Sequence, residues 1–123
     1  MAVSNDTVRV VLDYFAHLNR SNLDAVIAGV GTSAVQEFKG PKPLTLTGAS
    51  AIREHLAETL RTRTFFSIRR FVVDDAQVAV ALESEGPGAG GGGARRDEAH
   101  VFVVREGKIE RITSYVFDPR YFS

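Results

Sequence analysis

The chain has 123 residues, 15 of them basic and 15 acidic, and no cysteine. One domain of this length buries roughly two-thirds of the surface its unfolded chain exposes, enough for a core without disulfides, and the absence of thiols removes a thiolate metal site or nucleophile. Zero formal charge leaves no broad electrostatic footprint for nucleic acid or an anionic membrane, and it eases self-association. The opening MAVSNDTVRVV lacks a basic region followed by a long apolar run, and no window approaches about 18 apolar residues. The expectation is a soluble, cytoplasmic protein with neither a nucleic-acid nor a membrane partner.

Asp6 or Ser4 can cap a first helix reaching about Asn19, with Val8, Val11, Leu12, Phe15 and Leu18 as its apolar stripe. Tyr14 stands at the edge of that stripe, where its hydroxyl can reach inward; a border tyrosine with no further role is the plainer alternative. Asn22 or Ser21 then caps a short helix from Leu23 to about Val30, ended by Gly29 and Gly31. Ala34 to Lys39 and Leu44 to Thr47 read as short strands, and Pro41 and Pro43 between them mark a sheet edge or loop rim. Gly48-Ala49-Ser50 opens a third helix through about Leu60, with Ile52, Leu56 and Leu60 as its buried row and His55 beside it.

Strands follow at Phe65 to Val73 and Gln77 to Glu85, joined by a turn at Asp74-Asp75. In the second, Val78, Val80, Leu82 and Ser84 share one face. Residues 86–94, GPGAGGGGA, form a flexible hairpin loop; no Lys-Ser/Thr follows the glycines, so it is not a phosphate loop. The stretch from His100 to Asp118 is an antiparallel hairpin turning at Arg105-Glu106-Gly107-Lys108, with His100, Phe102 and Val104 on one face. The order α-α-β-(β)-α-β-β-β-β makes a single α+β domain over residues 1–123. Its mostly antiparallel, curved sheet wraps as a cone around the three helices.

VVLDYFAHLNRSNLDAVIAGV, GASAIREHLAETL and AHVFVVREGKIERITSYVFD occur in that order across nearly the whole chain. They resemble the nuclear transport factor 2-like superfamily, particularly its SnoaL-like and ketosteroid-isomerase-like branch. The resemblance implies the helix-lined cone, commonly dimeric through its sheet. It puts Tyr14 at the oxyanion-donating tyrosine of ketosteroid isomerases and His100 at the protonated aspartate that shares their oxyanion hole. Their general-base aspartate falls near Phe38, whose ring takes no proton; Glu37 could replace it only through a slip of register. Ketosteroid isomerisation is therefore disfavoured. His55 becomes cavity-lining, and Ile112, Ser114, Val116 and Asp118 face inward while Arg111, Thr113, Tyr115 and Phe117 face outward. Asp118 resembles the C-terminal acid/base aspartate of SnoaL-like cyclases.

The interior so composed is apolar at Leu18, Phe38, Val80, Leu82, Phe102, Ile112 and Val116, with polar groups at Tyr14, His55, His100 and Ser114, the make-up of a small-molecule pocket. A neutral imidazole accepts a proton near neutrality and a phenol donates, so Tyr14, His100 and Asp118 are the candidate catalytic residues for proton abstraction beside a carbonyl. Three histidines without metal-ligand spacing, and no G-x-S-x-G, point to no metal, no cofactor and no covalent nucleophile. Three readings stand. The chain is an isomerase, cyclase or dehydratase acting on a polyketide-like or terpenoid carbonyl compound, a non-catalytic binder of a small hydrophobic ligand, or a dimerising scaffold.

Overall fold

Six strands and three helices form in the order the patterning implies. They are α1 (Val3–Asn19), α2 (Leu23–Ala28), β1 (Val30–Phe38), β2 (Leu44–Thr47), α3 (Ala49–Thr59), β3 (Phe65–Asp74), β4 (Gln77–Gly86), β5 (Ala94–Arg105) and β6 (Lys108–Phe117). The structure is a computed structural model that describes residues 3–40, 42–63, 65–86 and 94–117. One sheet runs in the order β2-β1-β6-β5-β4-β3, so β2 and β3 are edges and the sheet stays open. Only the β1–β6 pair is parallel. Register shifts in β1–β6, β3–β4 and β5–β6 supply the local bends that curve the sheet.

The helices cover one face. α1 packs across β3 to β6, α3 lies on β1 and β2, and α2 joins them to β1. Val78, Val80 and Leu82 of β4, Phe102 and Val104 of β5 and Ile109 and Ile112 of β6 meet Val11, Phe15 and Leu18 of α1 in the core. Asn19, at the end of α1, clasps β3: its Nδ2 donates to the Phe66 carbonyl at 3.0 Å and its Oδ1 accepts from the Phe66 N–H at 2.7 Å. The β5–β6 turn places Glu106 and Gly107 at φ 53° and 77°, the left-handed pair of a two-residue hairpin turn.

Several local expectations shift. α1 begins at Val3, so Ser4 and Asp6 lie inside it rather than capping it. Its buried face runs through Thr7, Val11, Tyr14, Phe15 and Leu18; Leu12 is 38% exposed and Tyr14 only 5%, because the sheet meets the helix one position round from the predicted stripe. α2 stops at Ala28, with Asn22 Oδ1 accepting from the Ala25 N–H, and Val30 already begins β1, pairing with Ile109. Gly86 and Ala94 are register partners in β4 and β5 rather than loop; residues 87–93, like Pro41, lie outside the described residues.

Gly86 is required by a close approach. A Cβ there would stand 1.6 Å from the Thr62 carbonyl oxygen, which is backbone and cannot swing aside. Gly86→Ala is expected to cost about 2 kcal/mol or more, read as a lowered midpoint in chemical denaturation; an unchanged midpoint would show that the 60–63 segment yields without cost.

Candidate functional site

The concave face of the sheet and the helices above it enclose a cavity of about 370 Å³. Tyr14, Phe15 and Leu18 of α1, Phe38 of β1, Leu56 of α3 and Phe66 of β3 form most of its wall. Polar groups enter from β1 and β5, whose inward positions include Gln36, Arg96, Glu98 and His100. Period-two alternation alone puts Arg96, Glu98, His100 and Phe102 on one side of β5.

Glu98 and His100 form a buried pair. Glu98 Oε1 lies 2.8 Å from His100 Nε2, and its Oε2 accepts from the Ser84 hydroxyl at 2.5 Å. His100 Nδ1 lies 2.8 Å from Ser114 Oγ, which in turn accepts from Gln36 Nε2 at 3.0 Å. Burial by itself pushes the Glu98 carboxyl up, but the hydrogen bond and charge of His100, the Ser84 hydroxyl and the Arg96 charge outweigh it and hold the group below its ordinary value. Glu98 is thus a carboxylate, able only to accept, so the hydrogen of its contact with His100 sits on Nε2. Five side chains from β1, β4, β5 and β6 thus join in one network that converges on Glu98, with Gln36 Oε1 buried and without a hydrogen bond among the described residues.

Tyr14 is held by edge-on contacts with Phe15 and Phe102, at ring separations of 5.0 and 5.3 Å. Burial, and then the nearby Glu98 carboxylate, push its phenol far above the ordinary tyrosine value. It therefore remains a neutral donor at any working pH. His55, half-buried, is lowered by burial and packs against Phe38 with ring centres 4.7 Å apart and planes tilted by 50°, so this part of the wall is uncharged near neutrality. Glu37 points to the other face, where it pairs with Arg111 and Lys39; the register does not slip, and Phe38 occupies the pocket wall.

Of the residues expected in the site, Tyr14, Leu18, Phe38, His55 and His100 line the cavity. Val80, Leu82, Phe102 and Ile112 do not; they are core residues beneath it, covered by α1. Ser114 is fully buried behind His100 and reaches the cavity only through it. The side chain of Val116, and Asp118 as a whole, lie outside the described residues. Glu98 has no place in a β5 that starts at His100, whereas the strand begins at Ala94; Gln36 lies on β1, and Ser84 is foreseen only as part of one face of β4. Extending the alternation upstream through ARRDEAH would have found Glu98; Gln36 and Ser84 depend on sheet register.

A profile of the SnoaL-like domain family matches residues 11–112. Comparison with curated proteins finds no match. Among solved structures, a candidate SnoaL-like polyketide cyclase from Jannaschia superposes with a TM-score of 0.82 at 13% identity, over 99% of this chain and 92% of that one. TerC co-crystallised with polyporic acid gives 0.78 at 21%, over 95% of both chains. A protein with a ketosteroid isomerase-like fold from Catenulispora acidiphila, in complex with trimethylamine, gives 0.75 at 16%, over 86% of this chain and 83% of that one. At such identities the likeness carries the fold alone.

Because Glu98 binds its proton less tightly folded than unfolded, its contribution is complete above the ordinary carboxylate range and is lost as pH falls through and below it. Glu98→Gln should cost about 1–3 kcal/mol at neutral pH and flatten the acid limb of a stability-versus-pH curve. An acid limb as steep as that of the parent protein would mean that Glu98 is not ionised in the fold.

Proposed function

This chain belongs to the SnoaL-like domain family, within the nuclear transport factor 2-like superfamily, and we propose that it binds a small hydrophobic carbonyl compound in its cavity and acts on it as an acid/base enzyme of the isomerase, cyclase or dehydratase type. The observation that carries this reading is the Glu98–His100 pair, buried at the wall of an otherwise largely apolar cavity that also holds the neutral phenol of Tyr14. A buried carboxylate is expensive to maintain, and a structural role alone would be served by apolar residues of similar volume. TerC with polyporic acid supports the idea that cones of this shape accept small organic molecules.

The chemistry follows from donor and acceptor character. A substrate carbonyl oxygen accepts from Tyr14 O–H. The carbon beside it loses a proton to the Glu98–His100 pair; the C–H electrons become the new C=C bond and the carbonyl π pair moves onto oxygen. The net charge of the pair rises by one, and the proton belongs to the pair rather than to either residue. Returning it to another carbon isomerises; giving it to a β-hydroxyl, whose oxygen leaves with the C–O electrons as water while the carbonyl re-forms and the enolate C=C pair becomes the new α,β double bond, dehydrates. A polyketide-like or terpenoid carbonyl compound fits the cavity's size and wall. Tyr14→Phe is expected to keep its melting temperature within a few degrees and to lower turnover of such a compound roughly a hundredfold or more. Lost stability with unchanged turnover or affinity would make Tyr14 structural.

A homodimer through the sheet belongs to the same reading. Val72, Ala79, Ala81, Ala99, Val101 and Tyr115 make a mostly apolar stripe on the outer face, with Val72 58% exposed and Arg70 beside its register partner Ala81, flanked by the ion pairs of Glu83 with Arg69 and Arg95. Ala81→Glu puts a charge in the middle of that stripe. Sedimentation should show a dimer for the parent protein and a folded monomer for the variant; a monomeric parent would exclude the dimer.

A further inference from the structure

We propose that the ligand of this pocket is a hydroxylated carbonyl compound, whose hydroxyl donates to Gln36 Oε1 while its carbonyl accepts from Tyr14. The inference rests on the pocket reading above and adds a second functional group to the molecule. Gln36, on β1, lines the cavity and is only 3% exposed. Its Nε2 donates to Ser114 Oγ at 3.0 Å, which pins the planar amide and turns Oε1 away from Ser114. Oε1 is the one buried side-chain oxygen without a hydrogen bond among the described residues. An unpaired buried carbonyl oxygen carries a desolvation cost that an apolar side chain of similar length would avoid. A donor that arrives with the ligand removes that cost.

The surroundings of Gln36 define what kind of donor fits. Phe38, two positions along the same strand, packs against His55 and has no hydrogen to give. Lys42, Arg63 and Arg96 line the same cavity, so a ligand ammonium would enter beside like charges. An uncharged O–H meets the acceptor without that repulsion. The network also sets how far this hydroxyl stands from the reacting carbon. Ser114 Oγ touches both the His100 imidazole, at 2.8 Å, and the Gln36 amide. The pair that takes the proton and the oxygen that receives the hydroxyl therefore lie within the span of one small molecule.

The test is a matched set of probes, 7-hydroxy-1-tetralone, 7-methoxy-1-tetralone and unsubstituted 1-tetralone, titrated calorimetrically into the intact protein at neutral pH. All three share the ring and the carbonyl, and only the first can donate. It should bind about tenfold or more tightly than either of the others. In the parent protein the NMR signals of the Gln36 side-chain amide should move with the hydroxy compound and stay in place with the other two. Gln36→Met should erase the preference, with circular dichroism confirming that the variant folds. Equal binding of the three, or tighter binding of the ether, overturns the inference and leaves the pocket reading standing. A preference that survives in Gln36→Met, or one that leaves the Gln36 amide signals unmoved, overturns it as well. Binding of none of the probes sinks both.

Discussion

The register of β5 in the middle of the sheet is the constraint on which the rest depends. Its neighbours β4 and β6 are fixed to it over almost their full length, and its side chains alternate strictly between two environments. Inward positions carry Arg96, Glu98, His100, Phe102 and Val104, while Ala99 and Val101 join the outer stripe. A slip of one residue would drive Asp97 into the core and turn the Glu98–His100 pair out to solvent. The core residues Phe102 and Val104 resist this because they share their face with the pair. Packing energy at one end of the strand thus holds charged chemistry in place at the other.

That division explains how a small domain tolerates ionised groups near its core. Removing a carboxylate from water is expensive, and the cost is met here by a charge-assisted contact on each oxygen and a third from Arg96 through space. The compensating residues come from β1, β4, β5 and β6, so the network forms only when the sheet is assembled. Each member restrains its neighbours, so the network ties the register of these strands together. Tyr14 is the opposite case. Its neighbours disfavour charge, so the phenol stays neutral and keeps its donor.

The cone itself is a scaffold, and similar cones carry the family name of cyclases, the fold of ketosteroid isomerases, and ligands as different as polyporic acid and trimethylamine. What individualises this one is the side chains that enter the cavity. Phe38 and His55 close one part of the wall with rings tilted against each other, and Arg96, Glu98 and His100 enter from β5. Function in such a fold is written on the inward positions of the strands rather than in the topology.

The sequence by itself determined the α+β architecture, the order and type of its elements, the hairpin turn at Glu106-Gly107 and the shared face of Val78, Val80, Leu82 and Ser84 on β4. These follow from local periodicity, glycine placement and β-branched content, which act over a few residues. Helical spacing put Tyr14 and Leu18 at or beside an apolar stripe and alternation put His100 at the head of an apolar row, whereas the family resemblance is what placed Phe38 and His55 at a cavity wall. Tertiary structure alone decided the rest. Whether Val80 or Phe102 lines a cavity or lies under a helix depends on where α1 comes to rest. The joining of Gln36, Ser84, Glu98 and Ser114 around His100 depends on the register of four strands drawn from 79 positions of chain, from Gln36 to Ser114. No local pattern encodes such a meeting, since hydrogen-bond partners this distant in sequence are chosen by the packing of the whole core.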